Sequence, residues 1–183
     1  LVAYSHELIF IDDFSSDSSC EIINSEANSN TSLIAFKCHK GQSSALASGI
    51  NKARGHYIVT MDGDLQNDPS DIPKMLDLIQ NEALDMVIGF RQNRQDPFLK
   101  TMPSKIANFI IRMTTQLQIR DSGCALKVMT SKVAKDLPLY GELHRFMALS
   151  AHIRGARIKE ISVIHHPRIH GVSKYGLERT FKV

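Results

Sequence analysis

Strand-length apolar runs at Leu8–Ile11, Leu33–Phe36, Tyr57–Met61 and Met86–Gly89 punctuate the first half of the chain. Helix-like segments lie between them, near Ser16–Ala27, Ser43–Ala53 and Ser70–Glu82. Strands that alternate with helices read as β-α-β units, which predicts an α/β fold with a mainly parallel sheet covered on both faces. After Arg91 the pattern changes: a basic loop runs through Lys100, a helix is expected from Pro103 to Leu117, and the turn Asp121-Ser122-Gly123-Cys124 leads into a strand ending at Met129. Helices follow over Ser131–Leu137 and Arg145–Ile153, then a last strand within Ala156–His165 and a tail of no clear period. The chain contains no internal repeat and no low-complexity tract.

Ligands of open α/β sheets bind beyond the carboxyl ends of the strands. Asp12-Asp13, His39-Lys40-Gly41-Gln42 and Asp62-Gly63-Asp64 all fall at such ends, so three strand exits are expected to share one cleft. The third is the most informative. Tyr57-Ile-Val-Thr-Met61 runs straight into two carboxylates one residue apart, and alternate residues at a strand's exit point to the same side. Asp62 and Asp64 therefore converge on one divalent cation, with Gly63 admitting a ligand and Gln66 close behind. Hard cations such as Mg²⁺ or Mn²⁺ take oxygen ligands and bridge to phosphate oxygens, which implies a nucleotide diphosphate substrate. The bland alternative is a pair of solvated loop aspartates.

The other strand ends carry weaker signals. One of Asp12 and Asp13 is positioned to accept hydrogen bonds from a nucleobase or ribose; alternatively both only cap the helix that Ser15, Ser16 and Asp17 begin. Lys40-Gly41-Gln42 opens the next helix, whose N–H groups and positive dipole end favour anions. Asp121 stands beside a small flexible turn, as a carboxylate at a reaction centre must, or is one more turn aspartate. Glu142 and Arg145 are three apart and share a face if helical, where they either act on a ligand or pair with each other. Arg168 and Lys174, in a tail rich in glycine, are suited to clamp phosphate groups. His165, His166 and His170 resemble metal ligands only superficially, because Pro167 breaks any helical spacing.

At 183 residues and 43% hydrophobic, the chain suits one domain over residues 1–183. It begins near a polar turn and stops without a closing signal, so a fragment truncated at both ends is expected. No run reaches the roughly 18 to 20 apolar residues of a membrane-spanning helix, and the N-terminus lacks a signal pattern. Cys20, Cys38 and Cys124 are widely spaced and match neither a disulfide frame nor a zinc site, which points to a reducing, cytoplasmic setting. The net charge of +3 hides an asymmetry: residues 1–96 hold 7 Lys/Arg and 14 Asp/Glu, and residues 97–183 hold 15 and 5. A basic second half suits an anionic partner such as a phosphate-bearing lipid, a membrane surface or nucleic acid, or is a solvated basic face.

Taken together, Phe10-Ile-Asp-Asp-Phe-Ser-Ser-Asp17, the Lys40-Gly41 helix start, Met61-Asp-Gly-Asp-Leu-Gln-Asn-Asp-Pro69, Asp121-Ser-Gly-Cys124 and His166-Pro-Arg168 with Ser173-Lys-Tyr-Gly176 resemble the family 2 glycosyltransferases. Within them the likeness is closest to the polyprenyl-phosphate sugar transferases of the dolichyl-phosphate mannose synthase type. The resemblance implies a GT-A, Rossmann-like fold that moves a hexose from a nucleotide diphosphate sugar of the GDP-mannose or UDP-glucose type to a polyprenyl phosphate, with inversion. It further implies that Asp12 or Asp13 meets the nucleoside with Lys40 and Gly41 nearby, that Asp62, Asp64 and Gln66 hold Mg²⁺ or Mn²⁺ and the diphosphate, and that Asp121 sits at the reaction centre. Arg145, Arg168 and Lys174 then handle acceptor or leaving-group phosphates, at the cytoplasmic face of a membrane.

The family's first strand, with its Pro-x-Tyr/Phe-Asn-Glu turn, is absent before Leu1, so the first β-α unit is expected to be missing. The family's membrane helices are absent as well. Processive members carry Gln-x-x-Arg-Trp, whereas this chain has no tryptophan and reads Glu142-Leu-His-Arg145-Phe146, which disfavours polymer synthesis. The rival readings are a metal-dependent sugar nucleotidyltransferase, a glycosyltransferase acting on a saccharide, and a nucleic-acid-binding module. The last leaves the aspartates at three strand ends unexplained, so no nucleic-acid partner is expected.

Overall fold

A computed structural model of the chain describes residues 4–91 and 119–167. In order, these residues form β1 (Leu8–Asp12), α1 (Ser19–Glu26), β2 (Thr31–Ala35), α2 (Gln42–Lys52), β3 (Tyr57–Thr60), a 3₁₀ turn (Pro69–Asp71), α3 (Ile72–Asn81) and β4 (Met86–Arg91). Then come β5 (Lys127–Thr130), α4 (Ser131–Asp136), a second 3₁₀ turn (Leu143–Phe146), α5 (Met147–Ile153) and β6 (Ile158–Val163). The basic loop through Lys100 and the expected helix from Pro103 to Leu117 lie outside the described residues.

The α/β layering expected from the alternation is present, but the larger sheet is mixed. β1 and β2 pair in parallel as a two-stranded sheet, and the larger sheet has the order β3-β5-β4-β6. β4 and β6 are parallel, whereas β5 runs antiparallel to both of its neighbours. β5 is entered through a tight turn in which the Cys124 N–H donates to Asp121 C=O at 3.3 Å.

The period-2 alternation of the strands divides the core. Ile58 of β3, Met86 and Ile88 of β4 and Met129 of β5 pack with Ile50 of α2 and Met147, Ala148 and Ala151 of α5. Val87 and Val128 face the other way, joining Cys124, Leu126 and Val163 against α3. α3 presents Ile72, Met75, Leu76 and Ile79 at helical spacing to that face, and burying each such side chain contributes about 1.5–3 kcal/mol. Its start is set by Asp68, which accepts from Ser70 N–H at 2.8 Å, and by Pro69. Against β1, α2 comes so close that a methyl group at Gly49 would stand 2.7 Å from Ile11 Cδ1. That contact sets the later turns of α2 tightly against β1.

Candidate active site

Hydrogen bonds tie the three strand exits together. Asp13, leaving β1, accepts from Lys40 N–H at 2.7 Å and Gly41 N–H at 2.9 Å, and its carboxylate also meets His39 Nδ1 at 2.7 Å. Gly41, at φ 87°, adopts the left-handed backbone that lets both amides turn toward one carboxylate. The helix-start amides that the sequence reading reserves for an anion are thus occupied by the chain's own Asp13. Asp12 is buried, and its carboxylate accepts from Ser15 N–H at 2.9 Å. Hydrogen bonds from the Ser15 hydroxyl and amide hold its carboxyl below the ordinary aspartate range.

One residue beyond Gly41, Gln42 Nε2 donates to Asp62 Oδ1 at 3.2 Å, joining α2 to the end of β3. Asp62 is exposed and Asp64 half-buried; Asp64 Oδ1 accepts from Gln66 N–H at 3.1 Å across a turn in which Leu65 takes φ 63°. Gln66 Nε2 in turn faces His165 Nε2 at 3.4 Å and donates to His166 C=O at 3.3 Å. The segment leaving β6 is stapled here twice more, by Asp71 Oδ2 accepting from Ile164 N–H at 2.7 Å and by His166 Nε2 with Asp68 Oδ2 at 3.0 Å. The His166 contact, with the Ser70 hydrogen bonds, lowers the Asp68 carboxyl to about 2. Arg168 and Lys174, which this segment leads to, lie outside the described residues.

Asp121 is held differently. Arg91, the last residue of β4, grips it in a bidentate pair, Nε to Oδ2 at 2.6 Å and a terminal nitrogen to Oδ1 at 2.9 Å. Side-chain exposures are only 14% and 10%, which makes this a buried ion pair with fixed geometry. Glu160 of β6 supports the turn from below, with Oε1 accepting from the Arg120 and Asp121 N–H groups at 2.9 Å each. Burial pushes the Glu160 carboxyl up despite those two amides. Arg145 pairs with Glu142 at 3.1 Å, the blander of the two arrangements left open for these residues.

Arg91, Glu160, Lys127 and the pair Ser43 and His144 are functional-site neighbours that no motif in the sequence marks. Arg91 ends β4 as Asp62 follows β3, so the strand-exit rule applied to a fourth strand finds it. Lys127 is a charge inside the apolar run Ala125-Leu-Lys-Val-Met129, which is itself the signal. Ser43 and His144 meet across 101 residues of sequence, Oγ to Nδ1 at 3.0 Å, and His144 N–H donates to Ser43 Oγ at 3.1 Å. No local pattern carries that contact.

Whether this donor set suits a divalent cation is decided by its chemistry. Asp62, Asp64 and Gln66 offer hard oxygen atoms, and among the described residues no group of three or more His, Cys, Asp or Glu side chains forms a closed cage. An open set of two carboxylates fits a cation of the Mg²⁺ or Mn²⁺ kind, which completes its shell with water and diphosphate oxygens. Among the described residues no helix is long and apolar enough to cross a membrane.

Residues 3–137 match the family described as Glycosyl transferase family 2. Among curated proteins, the chain is 42% identical over 193 residues to the dodecaprenyl-phosphate galacturonate synthase of Rhizobium johnstonii, covering 100% of this chain and 56% of that protein. It is 35% identical over 175 residues to the undecaprenyl-phosphate 4-deoxy-4-formamido-L-arabinose transferase of Edwardsiella ictaluri, covering 94% and 54%. The chain thus spans about half the length of these relatives. Among solved structures, glucosyl-3-phosphoglycerate synthase from Mycobacterium tuberculosis, in complex with Mn²⁺ and UDP-glucose, superposes with a TM-score of 0.71 at 15% identity, covering 95% of this chain and 62% of that one. Its complex with phosphoglyceric acid gives 0.72 at 14% identity, covering 90% and 62%. The fold is therefore GT-A-like.

Proposed function

This chain belongs to glycosyl transferase family 2, and on that premise we propose that it moves a sugar from a nucleotide diphosphate donor to a polyprenyl phosphate, with inversion at the anomeric carbon. The observation that carries this reading is the linkage of Asp62-Gly63-Asp64 through Gln42 to the Asp13–Gly41 corner. Two polyprenyl-phosphate sugar transferases among the similar proteins support the acceptor class.

Asp62, Asp64 and Gln66 would hold Mg²⁺ or Mn²⁺; when bound, the cation neutralises diphosphate oxygens. Asp12 and Asp13 shape the nucleoside side of the site, Asp13 by fixing the Lys40-Gly41 corner. A lipid monophosphate has a second pKa near 6 by analogy with other phosphomonoesters, so it needs little help from a general base. Positioning and charge compensation then dominate. Asp121, fixed by Arg91, orients the sugar and steadies positive charge at the anomeric carbon rather than removing a proton. Arg145, Arg168 and Lys174 compensate the phosphates that meet in the cleft. A lipid acceptor brings the reaction to a membrane surface, and a nucleotide sugar donor to its cytoplasmic face.

GDP-mannose and UDP-glucose are the donor types the family resemblance brings forward, while the two relatives carry the names of a uronic acid and a formamido-pentose. The test incubates the full-length protein with Mn²⁺, a short polyprenyl phosphate and a panel of GDP- and UDP-sugars that includes both of those classes. Mass spectrometry then identifies the glycolipid. A single glycosyl polyprenyl phosphate, with release of nucleoside diphosphate, is expected; release of pyrophosphate, or no lipid product across the panel, refutes the reading.

A further inference from the structure

We propose that Phe14 is a nucleobase platform: an exposed aromatic ring at the exit of β1 on which the base of the nucleotide donor stacks. The inference rests on the nucleotide-donor reading of this site and deepens it.

Three non-glycine residues among those described take a left-handed backbone: Phe14 at φ 67°, Leu65 at φ 63° and Ala83 at φ 49°. Ala83 is the ordinary case. It follows α3, where Ala83 N–H donates to Gln80 C=O and Leu84 N–H to Ile79 C=O, the pattern in which helices commonly end. Phe14 and Leu65 end no helix; they lie in the loops that follow β1 and β3, each directly after an aspartate of a strand exit. For a bulky side chain this backbone is a genuine outlier, and such outliers gather where ligands are held.

The turn at Phe14 is imposed from both sides. Asp12 accepts from Ser15 N–H at 2.9 Å, and Asp13 accepts from the amides of Lys40 and Gly41, so the chain at Phe14 has little freedom. It carries a ring that is 59% exposed, at a position where glycine or asparagine would sit with less strain. The exposed ring of His39 adjoins the same corner, with Nδ1 on the Asp13 carboxylate. With the diphosphate at Asp62 and Asp64, which Gln42 joins to the start of α2, the nucleoside end of the donor extends toward the β1 exit. The edges of a base call for hydrogen bonds, whereas its faces call for a flat apolar surface. Stacking on an aromatic side chain commonly strengthens binding about fivefold to a hundredfold per base. Phe14 supplies that surface.

The test is isothermal titration calorimetry of the full-length protein with Mn²⁺, for the unaltered chain, F14A, F14Y and F14G. The ligands are UDP, GDP and, as the one without a base, inorganic pyrophosphate. The nucleotide that the unaltered chain binds more tightly should lose at least about fivefold in affinity in F14A and F14G. F14Y should stay within about twofold, because it keeps the flat face, and pyrophosphate affinity should not move. Stability should run the opposite way: F14G, relieved of the strained backbone, should melt about 2–4 °C above the unaltered chain. Nucleotide affinity unchanged in folded F14A overturns the proposal, as does an F14G that melts below the unaltered chain. A ring that merely packs against another part of the protein predicts both results. An equal loss for pyrophosphate also overturns it, since the whole site is then distorted. If F14A does not fold, F14L, apolar but without a flat face, is judged by the same criteria. Failure of the donor reading is distinct: the unaltered chain then binds neither nucleotide nor pyrophosphate, and both readings fall.

Discussion

Two acidic mouths of the same sheet are built on opposite principles. At the end of β3, Asp62 is exposed and Asp64 half-buried, and their neighbours are the side-chain amide of Gln42 and the backbone amide of Gln66. Beside the end of β4, Asp121 is enclosed, clamped by two nitrogens along one edge of the Arg91 guanidinium and underpinned by Glu160. The first arrangement leaves carboxylates in water, where a cation and a diphosphate can reach them. The second removes a carboxylate from water and fixes its orientation before any substrate arrives, which is how a group avoids reorganising during reaction. An open pair of carboxylates and an enclosed one stand on the same sheet, and their expected fragilities differ accordingly.

The largest effect is expected at the enclosed mouth. R91M leaves the Asp121 carboxylate buried without its guanidinium, so stability should drop by about 3–5 kcal/mol in denaturant unfolding. The double variant R91M/D121L should recover most of that loss. A drop below about 1 kcal/mol would show that the pair is less enclosed than its geometry says. At the exposed mouth the sensitivity reverses: D64N should leave unfolding almost unchanged yet lower kcat at least about a hundredfold, since one catalytic electrostatic contact commonly accounts for about 2.7–4 kcal/mol. Near-normal turnover at saturating Mn²⁺ would remove Asp64 from the site. S43A, which strips the buried His144 amide of its acceptor, should destabilise by about 1–3 kcal/mol without shifting the metal dependence.

Smaller differences appear with pH. The Glu160 carboxyl is raised by burial, so in the folded chain its contribution is intact below the ordinary glutamate range and is lost as pH rises through the raised value. E160Q keeps an oxygen for the two amides and should gain stability over the unaltered chain as pH climbs above that range. Its thermal unfolding curve should converge with that of the unaltered chain in acid. Asp68 titrates the other way. Depressed to about 2 from an ordinary 3.8, it stabilises above the ordinary value and loses that contribution as pH falls toward 2. D68N should flatten this acid limb, and an unchanged limb would mean that the His166 contact does not persist in solution.

Much of this architecture was legible because apolar runs are local. β1, β3 and β4 lie where their hydrophobic residues put them, and α3 follows from four apolar positions at helical spacing. Boundaries moved where side chains compete with the backbone. α1 starts at Ser19 rather than Ser16 because Asp17 accepts from Ser19 N–H at 3.0 Å and Asp12 from Ser15 N–H, holding the intervening residues in turns. The direction of β5 was not legible, since a four-residue strand such as Lys127-Val-Met-Thr130 reads the same for either orientation. Within the site, Asp62 and Asp64 announce themselves by spacing. The capture of the Lys40 and Gly41 amides by Asp13, and of Asp121 by Arg91, joins residues 27 to 30 positions apart. Only folding brings such partners together.

The three contacts at Gln66, Asp68 and Asp71 have a mechanical consequence. Together they rivet the strip after β6 to the loop that follows Asp64. Peeling that strip away breaks several hydrogen bonds at once, each with a net value of about 0.5–1.5 kcal/mol. Loop and strip are therefore held as a single unit, anchored at Asp71 to the start of α3.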